Sequence, residues 1–335
     1  MKNHQQPTPK PMRSTMKNDL NLAIAQKIKI SNNFLIASHV RPDADAVGSM
    51  LGLGLALKKA EKQVQMILED GAGKYSYLPG SDCIDQTPRG NFDMIIIVDC
   101  SDPGRVGQVL ADYPQPDLVV DHHKTNLNFG KFNIVEPEQA ATAAILFNCL
   151  PLWGLSIDAH VATCLLSAII GDTIGFRTSN VDAELLRKAA ALMDYGAKLS
   201  DIYRSELVLK SFEAIRYWGA GLNRVQRQNG LVWTSLTLED RKKSAYPGND
   251  DADLVNVLSA VEGTKIALIF IEQAPDKVKV SWRARPGIDV SKIAFEFGGG
   301  GHAAAAGADI DGTLEEVKKR VIIETEKLLE ENNFS

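Results

Sequence analysis

The chain has 335 residues, 44% of them hydrophobic, enough apolar material for two ordinary cores, so two domains are expected. Its formal net charge of −5 argues against a protein that coats long nucleic acid, because such binders carry a basic surface. A short ligand with few phosphates, neutralised by metals and a handful of arginines, remains compatible with that charge. No run reaches the roughly 18–20 apolar residues needed to cross a bilayer. No signal-peptide pattern precedes Asp19, and a soluble cytoplasmic protein without a membrane partner is expected. The four cysteines (Cys83, Cys100, Cys149, Cys164) form no CxxC pair and read as buried free thiols.

In chain order, Met1 to Lys17 are polar, proline-bearing and basic, which predicts a disordered segment over residues 1–18. Leu20, Ile24 and Ile28 have the spacing of an amphipathic helix over Leu20 to Ile30. Phe34 to Ala37 is a short buried strand, and His39 to Asp45 is the loop leaving it. Gly48 to Lys59 reads as a helix, although Gly48, Gly52 and Gly54 each cost about 1 kcal/mol against alanine there. Their spacing fits neither GxGxxG nor a P-loop, so close packing on the sheet is the reading adopted. Val64 to Leu68, Met94 to Val98, Leu118 to Val120 and Phe132 to Val135 are further strands, with a helix over Pro103 to Leu110. Strands alternating with helices predict a parallel sheet.

Strongly apolar helices follow over Ala140 to Leu150 and Asp158 to Ile170, and another over Ala183 to Tyr195. The charged, helical stretch Leu199 to Tyr217 reads as an inter-domain connection. Beyond it, Asn223 to Gln228 and Leu231 to Leu236 alternate around Asn229-Gly230, a strong hairpin signal. A helix (Asp251 to Val261), two strands (Lys265 to Ile271, Lys277 to Trp282) and two more helices (Val290 to Phe297, Thr313 to Leu329) make a second, smaller α/β domain.

The chemistry concentrates where apolar runs end. Leu118-Val119-Val120 stops on Asp121-His122-His123. A lone Asp-His-His proves little, since surface histidines usually do nothing. Three other clusters share its form or lie at a comparable end. Ile36-Ala37-Ser38-His39 runs on to Asp43-Ala44-Asp45, Ile95-Ile96-Ile97-Val98 ends on Asp99, and Ile169-Ile170-Gly171 ends on Asp172. Binding sites in open α/β sheets lie at the carboxyl ends of strands, so these side chains are expected to converge. Packed acids repel or protonate unless cations separate them, which calls for divalent metal.

The set Asp43-x-Asp45, Asp99, Asp121-His122-His123 and Asp172 resembles the DHH phosphoesterase superfamily. Gly298-Gly299-Gly300-Gly301-His302, followed by Ala303 to Ala306, resembles its partner DHHA1 domain. The match runs from about Asn33 to about Glu330, with every motif in the expected order. Within the superfamily, the size and motif wording are most similar to the oligoribonuclease (nanoRNase)/pAp-phosphatase group. The resemblance implies an α/β fold: a parallel-sheet DHH domain with flanking helices over residues 19–198, a helical linker over 199–217 and a smaller α/β DHHA1 domain over 218–335.

It further implies a two-metal phosphoesterase that uses Mn2+, with Mg2+ or another divalent ion as the alternative. His39, Asp43 and Asp99 would hold one ion, and Asp45, Asp99, His122 and Asp172 the other, with Asp99 bridging. Mixed imidazole and carboxylate ligation suits manganese better than calcium or magnesium. Asp121 would orient a ligand histidine, and His123 would contact the scissile phosphate or protonate the leaving oxygen. Each also reads as a satisfied structural polar residue. The two-residue period places Arg283 and Arg285 on one face of a strand. The four glycines let backbone N–H groups approach an anion. The resemblance therefore implies substrate contacts at His123, Arg283, Arg285, Gly299, Gly300, Gly301 and His302.

The implied substrates are short oligoribonucleotides cleaved to mononucleotides, with pAp dephosphorylation in the same site. A homodimer is allowed, and no long nucleic acid is expected. Hydrolysis of cyclic dinucleotides or of linear pApA and pGpG competes with this reading. A non-catalytic nucleotide-binding regulator is a third, against which stands the number of converging carboxylates, since a sensor has no need of them.

Overall fold

The computed structural model describes residues 12–113 and 115–333, and the chain divides into two units between Leu209 and Lys210. The expected disorder at the N-terminus lies outside the described residues as far as Pro11. From Met12 the backbone is already helical, so α1 (Met12–Ile30) starts well before the apolar spacing that revealed it.

In the first unit, short runs of two to five residues, the central ones apolar and buried, become the strands of a parallel sheet. They are β1 (Asn33–Ala37), β2 (Gln63–Ile67), β3 (Ile84–Asp85), β4 (Met94–Val98), β5 (Leu118–Asp121) and β6 (Phe132–Val135). The order is β3-β2-β1-β4-β5-β6, with every pairing parallel. From β1 the chain builds outward in one direction and from β4 in the other, so the strand order reverses between them. Ligands in such sheets bind at the carboxyl ends of the strands flanking that reversal. One face is covered by α2 (Ala44–Lys59), α3 (Thr142–Leu152) and α4 (Ala159–Asp172), followed by α5 (Ala183–Asp194) and α6 (Leu199–Tyr203). The other face buries Leu35, Ile67, Ile95, Ile97 and Val119 beneath Val106 and Val109.

Several expectations need correcting. Gly48 and Gly52 face α4 rather than the sheet. A Cβ on Gly48 would stand 2.5 Å from the Cys164 carbonyl oxygen, and one on Gly52 would stand 2.8 Å from Leu165 Cδ2. Only Gly54 packs on the sheet, against Met66. Pro103–Leu110 is 3-10 rather than α-helical and kinks at Gly107, whose φ is +73°. The short strand β3 had no sequence signal. Cys83 is exposed, while Cys100, Cys149 and Cys164 are buried. The connecting stretch is not one helix. A π-turn over Arg204–Val208 follows α6, and α7 (Phe212–Leu222) begins only after a break.

The second unit carries β7 (Gln226–Gln228), β8 (Leu231–Leu236), α8 (Leu238–Ser244), α9 (Leu254–Ser259), β9 (Ile266–Ala274), β10 (Lys277–Ala284), α10 (Ser291–Glu296), β11 (Gly300–His302), β12 (Ala305–Asp311) and α11 (Leu314–Asn333). Its sheet runs β11-β12-β10-β9-β8-β7, antiparallel except where β8 meets β9. Asn229 and Gly230 turn the β7–β8 hairpin with φ of +49° and +87°, as a primed turn requires. Three elements went unseen in the sequence: α8, with its Thr237/Asp240 capping box, and the strands β11 and β12. Among the described residues no helix is long and apolar enough to cross a membrane.

Candidate metal centre

Asp99 stands immediately beyond β4 with φ of +53°, a left-handed conformation that aspartate tolerates better than most residues. Its side chain is 1% exposed, and its two oxygens face different partners. Oδ2 lies 3.7 Å from His39 Nε2, and Oδ1 lies 3.6 Å from His122 Nε2. On the first side, Asp43 Oδ2 is 3.9 Å from His39 Nε2. On the second, His122 Nε2 is 3.8 Å from Asp45 Oδ2 and 3.5 Å from Asp172 Oδ2. These separations are too long for direct hydrogen bonds. They suit donors sharing one ion at about 2.0–2.2 Å, whose mutual distances are about 3.0–4.2 Å. Three side chains in each of two groups, His39–Asp43–Asp99 and Asp45–Asp99–His122, can thus converge on a cation, with Asp99 common to both.

The rings are turned to suit this. His39 Nδ1 lies 2.9 Å from the Val40 carbonyl oxygen, and His122 Nδ1 lies 3.2 Å from that of Gln139. A carbonyl only accepts, so each neutral ring carries its proton on Nδ1 and presents the Nε2 lone pair to the cluster. Asp43 spends Oδ1 capping α2, accepting from the N–H groups of Asp45 and Ala46, and keeps Oδ2 toward His39.

Asp45 is held by contacts the sequence did not reveal. Its Oδ1 accepts from the Ser49 hydroxyl at 2.9 Å and the Ala143 N–H at 3.0 Å, and its Oδ2 accepts from the Thr142 N–H at 2.5 Å. Ala141 has no capping oxygen of its own, so Asp45 caps α3 from another helix. The Thr142 hydroxyl donates to Asp99 Oδ1 at 2.9 Å. The only trace of Thr142 in the sequence is a single hydroxyl within an alanine run.

Asp121 is fully buried, and both its oxygens are engaged. Oδ1 accepts from His123 Nδ1 at 2.7 Å and from the His122 N–H, while Oδ2 accepts from Asn126 Nδ2 at 2.6 Å. That is the environment of an orienting group. Burial alone would lower the His123 pKa, but the bond to Asp121 and the charge of Asp99 outweigh it and raise the pKa to about 9. In the metal-free site these neighbours therefore favour the doubly protonated, charged ring of His123.

The carboxylates respond oppositely to their surroundings. Burial, then repulsion from Asp99, pushes Asp45 well above the usual carboxylate range, and burial with Asp43 and Asp99 does the same to Asp172. Burial also opposes ionisation of Asp99, but the three histidines overcome it and hold Asp99 ionised far into acid. Asp172 ends α4, where the helix dipole is unfavourable for an anion. Such a cluster is complementary to added positive charge.

In the second unit, Arg283, Ala305 and His302 pair in one row across β10, β12 and β11, which puts their side chains on the same face of the sheet. Arg283 is turned inward, donating from Nε to Asn256 Oδ1 at 3.0 Å and from Nη1 to the Trp282 carbonyl at 3.0 Å. Arg285 is exposed but lies past the end of β10, so the strand carries only the first of the two arginines. The glycine run is not an open anion loop. The N–H groups of Gly298 and Gly299 cap α10, donating to the carbonyls of Phe295 and Ala294. A Cβ on Gly299 would meet the Gly307 carbonyl at 2.1 Å, and one on Gly301 would meet the Ala305 carbonyl at 2.5 Å. Those two glycines are required by close pairing with β12. Gly300 alone in β11 has open space beside it, and it is exposed with His302.

The sequence matches the model for the DHH family, N-terminal domain, over residues 33–169 and that for the DHHA1 domain over residues 244–331. A Thermus thermophilus protein named bifunctional oligoribonuclease and PAP phosphatase NrnA is 35% identical over 308 residues, covering 89% of this chain and 91% of that protein. The Bacillus subtilis protein of the same name is 23% identical over 316 residues, covering 92% and 98%. Among solved structures, an exopolyphosphatase-related protein from Bacteroides fragilis shares the fold with a TM-score of 0.82 at 24% identity, covering 93% of this chain and 96% of that one. With both domain models matched in order and a relative of this identity along almost its whole length, the chain belongs to the DHH/DHHA1 phosphoesterase family, and it is a phosphoester hydrolase.

Proposed function

We propose that this hydrolase is a two-metal enzyme that cleaves short oligoribonucleotides to mononucleotides and removes the 3′-phosphate of pAp in the same site. The observation that carries the metal reading is the split Asp99 carboxylate, one oxygen toward His39 and Asp43, the other toward His122. The substrate reading is supported by the names of the relatives aligned along nearly the whole chain. His39, Asp43 and Asp99 would hold one ion, and Asp45, Asp99, His122 and Asp172 the other. Imidazole mixed with carboxylate favours manganese over calcium and magnesium. When bound, such ions lower the pKa of water and neutralise charge on the phosphoryl oxygens.

The chain supplies the rest. Asp99 keeps its charge at any working pH and serves both clusters. Asp121 fixes the His123 ring through Nδ1, so the proton on Nε2 is the one available to a phosphate oxygen or a departing alkoxide. His302, Gly300 and Arg285 are proposed to hold the terminal group of the nucleotide. Arg283, bound to Asn256, supports that face from within.

The test is a comparison of initial rates in manganese on pApA, pGpG, an RNA pentamer, a strand of about 24 nucleotides, pAp and cyclic-di-AMP. Dimers to pentamers should be degraded much faster per end than the long strand, with mild salt dependence, because few counterions are released when few phosphates are bound. A long strand consumed as fast as the dimer, with a steep salt slope, would overturn the short-substrate reading. A decisive preference for cyclic-di-AMP would replace it with the cyclic-dinucleotide one.

A further inference from the structure

Lys188 of α5 is only 5% exposed, an unusual place for an ammonium group unless its hydrogen bonds are all met. Its Nζ reaches Gln139 Oε1 at 2.8 Å, Glu184 Oε1 at 3.2 Å and the Ala144 carbonyl oxygen at 3.4 Å. The first and last of these bracket one short segment, residues 139–144, which leads from the β6 side of the sheet into α3. Between the two clamped points lie contacts to three candidate ligands. The Gln139 carbonyl fixes His122 through Nδ1, the Thr142 and Ala143 N–H groups hold Asp45, and the Thr142 hydroxyl holds Asp99.

We propose that Lys188 is a positioning residue of the metal centre, its buried ammonium locking the 139–144 segment so that His122, Asp45 and Asp99 are presented together. The inference rests on the two-metal reading above. Side chains that orient metal ligands are typically worth about 10–100-fold in metal affinity or activity. Lys188 acts one step further out, but on three ligands at once.

The sign of the effect separates positioning from simple electrostatics. Lys188→Met removes a positive charge, and relief of its repulsion with a bound cation would by itself tighten metal binding. Positioning requires the opposite. Manganese titration calorimetry on metal-free protein should show affinity weakened at least about tenfold in both Lys188→Met and Gln139→Met. On pApA, kcat should fall with little change in KM, and Lys188→Arg should recover part of the loss. Combining Lys188→Met with Gln139→Met should cost little more than either alone, because one works through the other.

Manganese affinity and kcat within about twofold of wild type, with only the melting temperature lowered, would make Lys188 a structural residue and overturn the proposal. Tightened binding would overturn it equally. If Lys188→Met does not fold, Gln139→Met decides the question alone, since that side chain is half-buried and its loss leaves the carbonyl on His122 in place. Wild-type protein that neither binds manganese nor cleaves pApA would bring down the two-metal reading itself, a result distinct from equal behaviour of wild type and variants.

Discussion

Gly171 offers a direct test of how the candidate ligands are brought together. It precedes Asp172 at the end of α4, and a Cβ there would stand 2.2 Å from the Ala44 Cβ and 3.4 Å from Glu206 Oε1. Ala44 lies between Asp43 and Asp45 at the start of α2. Non-bonded carbons rest about 3.5–4.0 Å apart, so an alanine at 171 must open this junction by roughly 1.3 Å. Metal–ligand distances tolerate about 0.2 Å, and the displaced groups are the neighbours of three proposed ligands. Overpacking of this kind costs about 1–3 kcal/mol of stability. A misplacement of about 1 Å costs on the order of 10²-fold in rate. Gly171→Ala should therefore fold, bind manganese poorly and lose about 100-fold in kcat on pApA. Adding Ala44→Gly removes the clashing methyl and leaves the Ala44 Cα position 3.6 Å from the new one, an ordinary contact. The double variant should recover most of the metal affinity and rate, at about 1 kcal/mol of stability for a glycine in the first helical turn. Calorimetry and steady-state kinetics on the three proteins decide it. A single variant within about threefold of wild type, or a double variant no better than the single, would refute the reasoning.

Excess chelator should abolish hydrolysis, and manganese should restore it better than magnesium or calcium; full activity in chelator would remove the two-metal mechanism. Asp99→Asn tests the bridge without straining the left-handed backbone, which asparagine also tolerates. It should keep less than about a tenth of the rate, a barrier change above roughly 1.4 kcal/mol, and more residual activity than that would mean Asp99 is not shared. His123 makes a pH prediction for the metal-free protein. Burial opposes its charge, but Asp121 and Asp99 raise its pKa from 6.5 to about 9. The resulting stability is complete below pH of about 6.5 and lost as pH rises through about 9. Melting temperature against pH should fall across that window in wild type and flatten in Asp121→Asn; parallel curves would remove the pair as the cause.

What was legible in the sequence was the alternation of apolar strands with acids at their ends. Ile95-Ile96-Ile97-Val98-Asp99 announces both a buried strand and a charged terminus, and local pattern suffices for that. The supporting contacts were not legible, because they join residues far apart in the chain: Asp45 meets Thr142 and Ala143, and Lys188 meets Gln139. The glycine run shows the limit of composition. Four glycines indicate that backbone can come close to something, but not that β12 is what comes close, nor that two of the N–H groups go to capping α10. For Arg283 the strand was legible, but the period that paired it with Arg285 ran past the strand's end at Ala284, and its partner Asn256 lay outside any local window. Helical composition over Leu199 to Tyr217 likewise concealed a break, since the π-turn buries Glu206 against Tyr77, whose hydroxyl donates to it at 2.7 Å.

The charge state of the cluster leads to one further expectation. Four buried or partly buried carboxylates and the more exposed Asp43 converge with three histidines, and they cannot all be ionised together without a cation. In the metal-free protein the strain is resolved by protons. Burial and the neighbouring acids raise Asp45 and Asp172, and His39 is raised because Asp99 and Asp43 outweigh the effect of its burial. Metal donors must be unprotonated, so loading the site has to expel those protons. Manganese affinity should accordingly increase with pH through the neutral range. The heat of binding should also differ between two buffers of unlike ionisation enthalpy, because each released proton is taken up by the buffer. Asp172→Asn would remove one of the groups whose pKa is raised and shrink that difference, while weakening binding through loss of a donor. If the heat were the same in both buffers and the affinity flat with pH, the cluster would already be fully deprotonated when empty. The repulsion among its acids would then have to be relieved by something other than the metal.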